Sequence, residues 1–110
     1  MLLLSTSAGI EMIQMDTIVR IEAISNYSKL FFANGKTLVV AKVLRWFEER
    51  LPGMQFIRVH RTHIINRKYL LAYHYERNGY MQLANGESIE VARRKKIYVR
   101  GWLYAYAHVE

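Results

Sequence analysis

The 110-residue chain contains no cysteine, which excludes disulfides and thiolate metal sites. Its only proline is Pro52, and no Pro/Ser-rich or low-complexity tract marks a linker. No apolar run approaches the ~20 residues that a membrane-spanning helix requires. The apolar start, Leu2-Leu3-Leu4, is too short for a signal-peptide core and has no basic residue before it. Catalytic signatures are missing as well. There is no nucleophile elbow and no Gly-rich phosphate loop, and Ser5, Thr6 and Ser7 lack a basic partner nearby. Glu48-Glu49 stands beside Arg45 and Arg50 and reads as surface, not as a catalytic pair. The expectation is one cytoplasmic domain over 1–110 that is not an enzyme and takes no cofactor.

Acidic residues are scarce, nine against sixteen Lys and Arg, for a formal charge of +7. The imbalance is local. The stretch 56–71 carries Arg58, Arg61, Arg67 and Lys68, and 91–101 carries Arg93, Arg94, Lys95, Lys96 and Arg100. Neither contains an acidic residue, and the rest of the chain holds seven basic and nine acidic ones. Cations held on a rigid sheet surface suit a regular polyanion, of which duplex DNA is the commonest.

Hydrophobic residues make up 52% of the chain, enough for a real core. Asn-Gly occurs three times, at 34–35, 78–79 and 85–86, each time between strand-like runs. Two-residue hairpins of the primed type need positive φ at their centre, which Asn and Gly tolerate best. The predicted pairs are 27–33 with 36–40, 69–77 with 80–84, and 80–84 with 87–92. In the last run Ile89 and Val91 point one way and Ser88, Glu90 and Ala92 the other. Strands are also predicted at 2–6, 10–14 and 18–24, with one helical turn at Met15-Asp-Thr17.

One helix is predicted, about 42–51. Val43, Leu44, Phe47 and Leu51 share a face, and Pro52-Gly53 ends it. At the C-terminus Trp102, Tyr104, Tyr106 and His108 alternate, which suggests a strand, although a tail or a short helix also fits. The residues therefore point to a mainly antiparallel β domain with one short helix.

Three separate motifs resemble one family, the LytTR DNA-binding domain. They are Phe56-Ile-Arg-Val-His-Arg-Thr-His-Ile-Ile-Asn66, the run 18–23 followed by Asn26-Tyr27, and Leu83-Ala-Asn-Gly-Glu-Ser-Ile-Glu-Val-Ala-Arg-Arg94. Their order and spacing agree over about residues 2–103. The resemblance implies about ten strands in three stacked antiparallel sheets. It implies a transcriptional regulator of the response-regulator, two-component type, which binds double-stranded DNA at promoter repeats and dimerises there. DNA would be met by loops at sheet edges that enter successive grooves and bend the duplex.

Carried over by position, the first loop places Asn26, Ser28 and Lys29 at the DNA. The second, around His60-Arg61-Thr62, places Arg61 at a base-reading position. The third is Ala92-Arg-Arg-Lys-Lys96, in which Arg94 reads bases while Arg93 and Lys95 meet phosphate; Lys96 is assigned to phosphate as well. Two departures stand out. Thr62-His63 replaces the more usual Ser-Tyr or Ser-His, and Ser28 is small where some relatives carry a longer side chain. Family members usually follow a receiver domain, and 110 residues leave no room for one here. The chain is then either a single-domain member or a piece of a longer protein, and an upstream receiver or sensor is a candidate partner.

Two other readings compete. A single-stranded nucleic-acid module would stack bases on Tyr73, Tyr75 and Tyr80. A protein-interaction domain would turn its basic face to an acidic partner. No metal site is expected, because His60 and His63 lie three apart and would point to opposite sides of a continuous strand. His60 reads instead as a hydrogen-bonded packing residue behind the second loop, and Asn66 as a tie for the following turn.

Overall fold

Successive residues Ile64 and Ile65 are both buried, and they belong to different cores. A strand sends alternate side chains to opposite faces, so a strand buried on both sides must lie in a central layer. The computed structural model describes residues 1–106. Its strands are β1 (Leu2–Thr6), β2 (Gly9–Ile13), β3 (Ile18–Ile24), β4 (Tyr27–Phe32), β5 (Thr37–Val40), β6 (Phe56–His60), β7 (His63–Asn66), β8 (Leu70–His74), β9 (Tyr80–Leu83) and β10 (Ser88–Glu90). They form three antiparallel sheets, β1-β2, β5-β4-β3-β7-β6 and β10-β9-β8.

The five-stranded sheet is the middle layer. On one face Ile18, Ile21, Leu30 and Ile64 pack with Leu2 and Leu4 of β1 and with Phe47. On the other, Val19, Ile57, Val59 and Ile65 pack with Met81, Leu83 and Ile89 of the β8–β10 sheet and with Val99 and Trp102. The mainly β fold of ten strands in three sheets is thus present.

The helices differ from expectation. Helix α1 covers only Leu44–Glu48, because Val43 is still extended and offers no side-chain cap. A second, longer helix, α2 (Lys96–Tyr106), occupies most of the C-terminal segment whose alternation suggested a strand. Val99 and Trp102 face inward at helical spacing, while Ile97, Tyr98 and Tyr104 face out. The Trp102 indole donates to the Gly53 carbonyl at 2.7 Å, tying α2 to the turn after Pro52. His108 lies outside the described residues.

All three Asn-Gly sites join antiparallel strands, but not by two-residue primed turns. At 34–35 and 85–86 only the glycine has positive φ, and the Asn carboxamide accepts from the N–H two residues on. That Asx-type bond holds the asparagine in ordinary space and leaves the left-handed position to glycine. The third connection is longer, running from His74 to Tyr80, with Arg77, Asn78 and Gly79 all at positive φ. The turn at Met15–Thr17 is present as a 3-10 turn.

Candidate nucleic-acid interface

The β3–β4, β6–β7 and β10–α2 connections are joined through their backbones. Ala23 N–H, at the end of β3, donates to the Thr62 carbonyl at 2.9 Å. Ala92 N–H, after β10, donates to the Val59 carbonyl of β6 at 2.8 Å. The first bond places the Ser25-Asn26 tip beside the Arg61-Thr62 turn. The second brings the 3-10 turn Arg93–Lys95 to the end of β6. A cleft of about 570 Å³ there is lined by Glu48, Arg58, His60, Arg61, Arg93, Arg94 and Lys95. Residues 61 and 94, thirty-three apart in sequence, therefore line one cavity.

The cations differ in how they are held. Arg20, Arg45, Arg50 and Arg58 have carboxylate partners. Among the described residues no carboxylate lies within 4.0 Å of Arg61, Arg93, Arg94 or Lys95. Arg61, Arg93 and Arg94 are exposed, while Lys95 and Lys96 are half-buried, with the Lys95 ammonium 5.1 Å from the Tyr98 ring centre.

The first loop is mixed. Asn26 is exposed, next to Ser25 at φ 54°. Lys29 is half-buried on β4, its ammonium 5.1 Å from the Phe31 ring. Ser28 is fully buried, and its hydroxyl donates to the Lys42 carbonyl at 2.6 Å. It braces the chain leaving β5 and presents nothing to the surface, so a DNA contact from Ser28 does not fit this geometry.

The second turn rests on histidines. Thr62 N–H donates to His60 Nδ1 at 3.2 Å, so that nitrogen is an acceptor and also lies 2.8 Å from the Thr62 hydroxyl. His60 is thus a packing residue behind the turn. His63 stands directly opposite it, with ring centres 5.7 Å apart. The expected divergence of these rings assumed a continuous strand, and it fails because the chain reverses at Arg61-Thr62. Among the described residues no cluster of three or more His, Asp or Glu side chains could hold a metal ion. Burial pushes His63 below its ordinary value, partly opposed by Glu22 at 4.0 Å, and its Nδ1 has no hydrogen-bond partner.

Behind the loops, Asn66 is fully buried. Its carboxamide donates to the Ile18 carbonyl at 2.8 Å and accepts from Lys68 N–H at 2.9 Å. It ties the turn after β7, as expected. Two residues of the cleft, Glu48 and Arg58, carry no motif that marks them in the sequence. Arg58 donates to Glu48 at 2.7 Å and to the Arg61 carbonyl at 2.7 Å. Arg58 was legible only as part of a basic run, and Glu48 only as helix surface. The tyrosines are not exposed together: Tyr75 is exposed, Tyr73 is half-buried, and Tyr80 stacks on His74 at 4.8 Å.

A basic cleft at a sheet edge, lined by the Arg61 turn and the Arg93–Lys95 turn, with the Ser25-Asn26 turn bonded alongside, is the feature of a β-type nucleic-acid-binding class. Residues 8–104 match the LytTr DNA-binding domain, and the chain belongs to that family, found in bacterial transcriptional regulators and response regulators. It is also similar in structure to the LytTr DNA-binding domain of a Bacillus cereus protein described as a methyl-accepting/DNA response regulator. That similarity has a TM-score of 0.81 at 25% sequence identity, and covers 93% of this chain and 94% of the other. A comparison with curated proteins gives no match. Domains of this family are non-catalytic. No helix among the described residues is long and apolar enough to cross a membrane.

Proposed function

We propose that this domain docks on duplex DNA through its three adjoining turns, with Arg61 and Arg94 reading base edges and Asn26, Lys29, Arg93, Lys95 and Lys96 holding the backbone. Arginine can donate two bonds to O6 and N7 of guanine, while phosphate contacts position without specifying. The observation that carries this reading is the shared cleft, where Arg61 meets Arg93, Arg94 and Lys95, none of which has a carboxylate partner among the described residues. The geometry also suits the duplex. In the central sheet the β3–β4 and β6–β7 turns stand two strand spacings of about 4.8 Å, roughly 10 Å, apart, within the ~12 Å width of a major groove. Bending the duplex to bring all three turns into contact would add sequence preference.

The same reading makes the protein a cytoplasmic transcriptional regulator without catalytic activity, with residues 1–110 forming one DNA-binding domain. Two copies would occupy adjacent promoter repeats, gaining affinity that one module lacks. A receiver or sensor would supply its signal. A gel shift with matched single- and double-stranded oligonucleotides, chosen after random-duplex selection, tests the reading. Tighter binding to the duplex is the expected outcome. Tighter binding to the single strand would favour a base-stacking module, and no binding at low salt would favour an acidic protein partner.

A further inference from the structure

The Arg61 turn is short, exposed at its tip and bordered by an irregular register between Arg58 and His60. Its backbone is nevertheless held from below, by the Arg58 side chain as well as by His60. Arg58 donates from Nη2 to the Arg61 carbonyl at 2.7 Å and from Nε to the His60 carbonyl at 3.4 Å. Its third nitrogen, Nη1, donates to Glu48 of α1 at 2.7 Å. A planar guanidinium can span three acceptors at once in a fixed fork, which an ammonium cannot. Among the described residues Glu48 is the only acidic one lining the cleft. Electrostatics alone gives no reason to put a carboxylate where a polyanion docks.

We infer that Arg58, anchored by Glu48, is a positioning residue that fixes the backbone of the Arg61 turn and so sets the direction in which Arg61 approaches a base. Arg58 then acts through Arg61 and adds no phosphate contact of its own. The inference rests on the base-reading role proposed for Arg61. It assigns α1 a part in DNA recognition through the Glu48–Arg58 bond.

The test is a double-mutant cycle on DNA preference. Wild type, Arg58→Lys, Arg61→Ala and the double variant are titrated against the selected duplex and against duplexes altered one base pair at a time. Arg61→Ala should flatten preference at one base pair. Arg58→Lys, which keeps the charge, should lower preference at that same pair by roughly tenfold, leave the salt slope unchanged, and add nothing once Arg61 is gone. Additive effects, or a loss spread evenly over all duplexes, would overturn the inference.

Glu48→Ala supplies a second arm that leaves the strand untouched. Removing a negative charge from a cationic cleft should, on charge alone, raise affinity for every duplex and leave preference intact. Positioning predicts a fall in preference at the Arg61 base pair, and an intact preference would overturn it. If Arg61→Ala leaves every preference unchanged, the base-reading role itself fails, and the inference with it.

Discussion

Arg20 and Glu87, sixty-seven residues apart, form a two-pronged ion pair between the central sheet and the β9–β10 connection, with Nε to Oε1 at 3.0 Å and Nη2 to Oε2 at 2.8 Å. Arg20 is 6% exposed, also pairs with Glu22 at 2.8 Å, and lies with its guanidinium carbon 3.7 Å from the Phe31 ring centre. Its charge is therefore buried but fully met. Removing one partner of a buried pair leaves the other stranded. The Glu87 side chain is 35% exposed, so water and Glu22 soften the loss. Glu87→Ala should cost roughly 1–2 kcal/mol, seen as a lower urea midpoint at unchanged slope.

The same pair gives an acid limb to stability. The hydrogen bond from Arg20 holds the Glu87 carboxyl below its usual range, against the opposing effect of burial. A depressed carboxyl stabilises the fold fully above its unfolded value, near 4.5, and loses that contribution as pH falls through the lower folded value. Glu87→Gln should flatten the stability profile below pH 4.5, measured by urea unfolding across pH.

His63 acts at milder pH. Burial lowers its pKa, so the unfolded chain takes up a proton that the folded chain resists. Its contribution to stability is complete above the ordinary value of 6.5 and declines as pH falls from there through the folded value. His63 faces His60 across the hairpin that carries the Arg61 turn, so loosening there should reach the proposed DNA contact. His63→Phe should remove this part of the pH dependence in thermal melts.

Gly79 has φ +91°, and a Cβ there would stand 2.7 Å from the Tyr73 hydroxyl. Its carbonyl accepts from Val91 N–H at 3.2 Å, directly before the Arg93 turn. Gly79→Ala therefore combines backbone strain with a displaced tyrosine and should cost roughly 1–3 kcal/mol. Calorimetry checks the loss of stability, and a parallel loss of DNA affinity would trace the strain to the third loop.

Arg93 and Arg94 are adjacent and should still fail differently. Arg93→Ala should weaken all duplexes alike and reduce the slope of log affinity against log salt by about one. Arg94→Ala should lose about 1–3 kcal/mol of discrimination at one base pair. Salt titrations on selected and scrambled duplexes separate the two.

Much of this architecture follows from local rules in the chain. Alternation in 18–24 and 87–92 predicted strands, and the three Asn-Gly pairs marked real chain reversals. Ser28 could have been recognised as inward-facing, because it alternates with Leu30 on the buried side of β4. The segment 96–106 misled because its aromatics satisfy a period of two as well as the helical period, and only packing against the second core decides between them. The His60–His63 pairing and the Arg58–Glu48 bond depend on the hairpin and on α1 docking. Neither leaves a trace in residue spacing.

The chain has two tryptophans, and each core has one. Trp46 packs against the first core, edge-on to Phe47 with ring centres 5.0 Å apart, and Trp102 is buried in the second. Intrinsic fluorescence can therefore watch each half of the molecule alone once the other indole is replaced by phenylalanine. Coincident melting of the two signals would identify one cooperative unit, and separated melting would make the central sheet a seam between two.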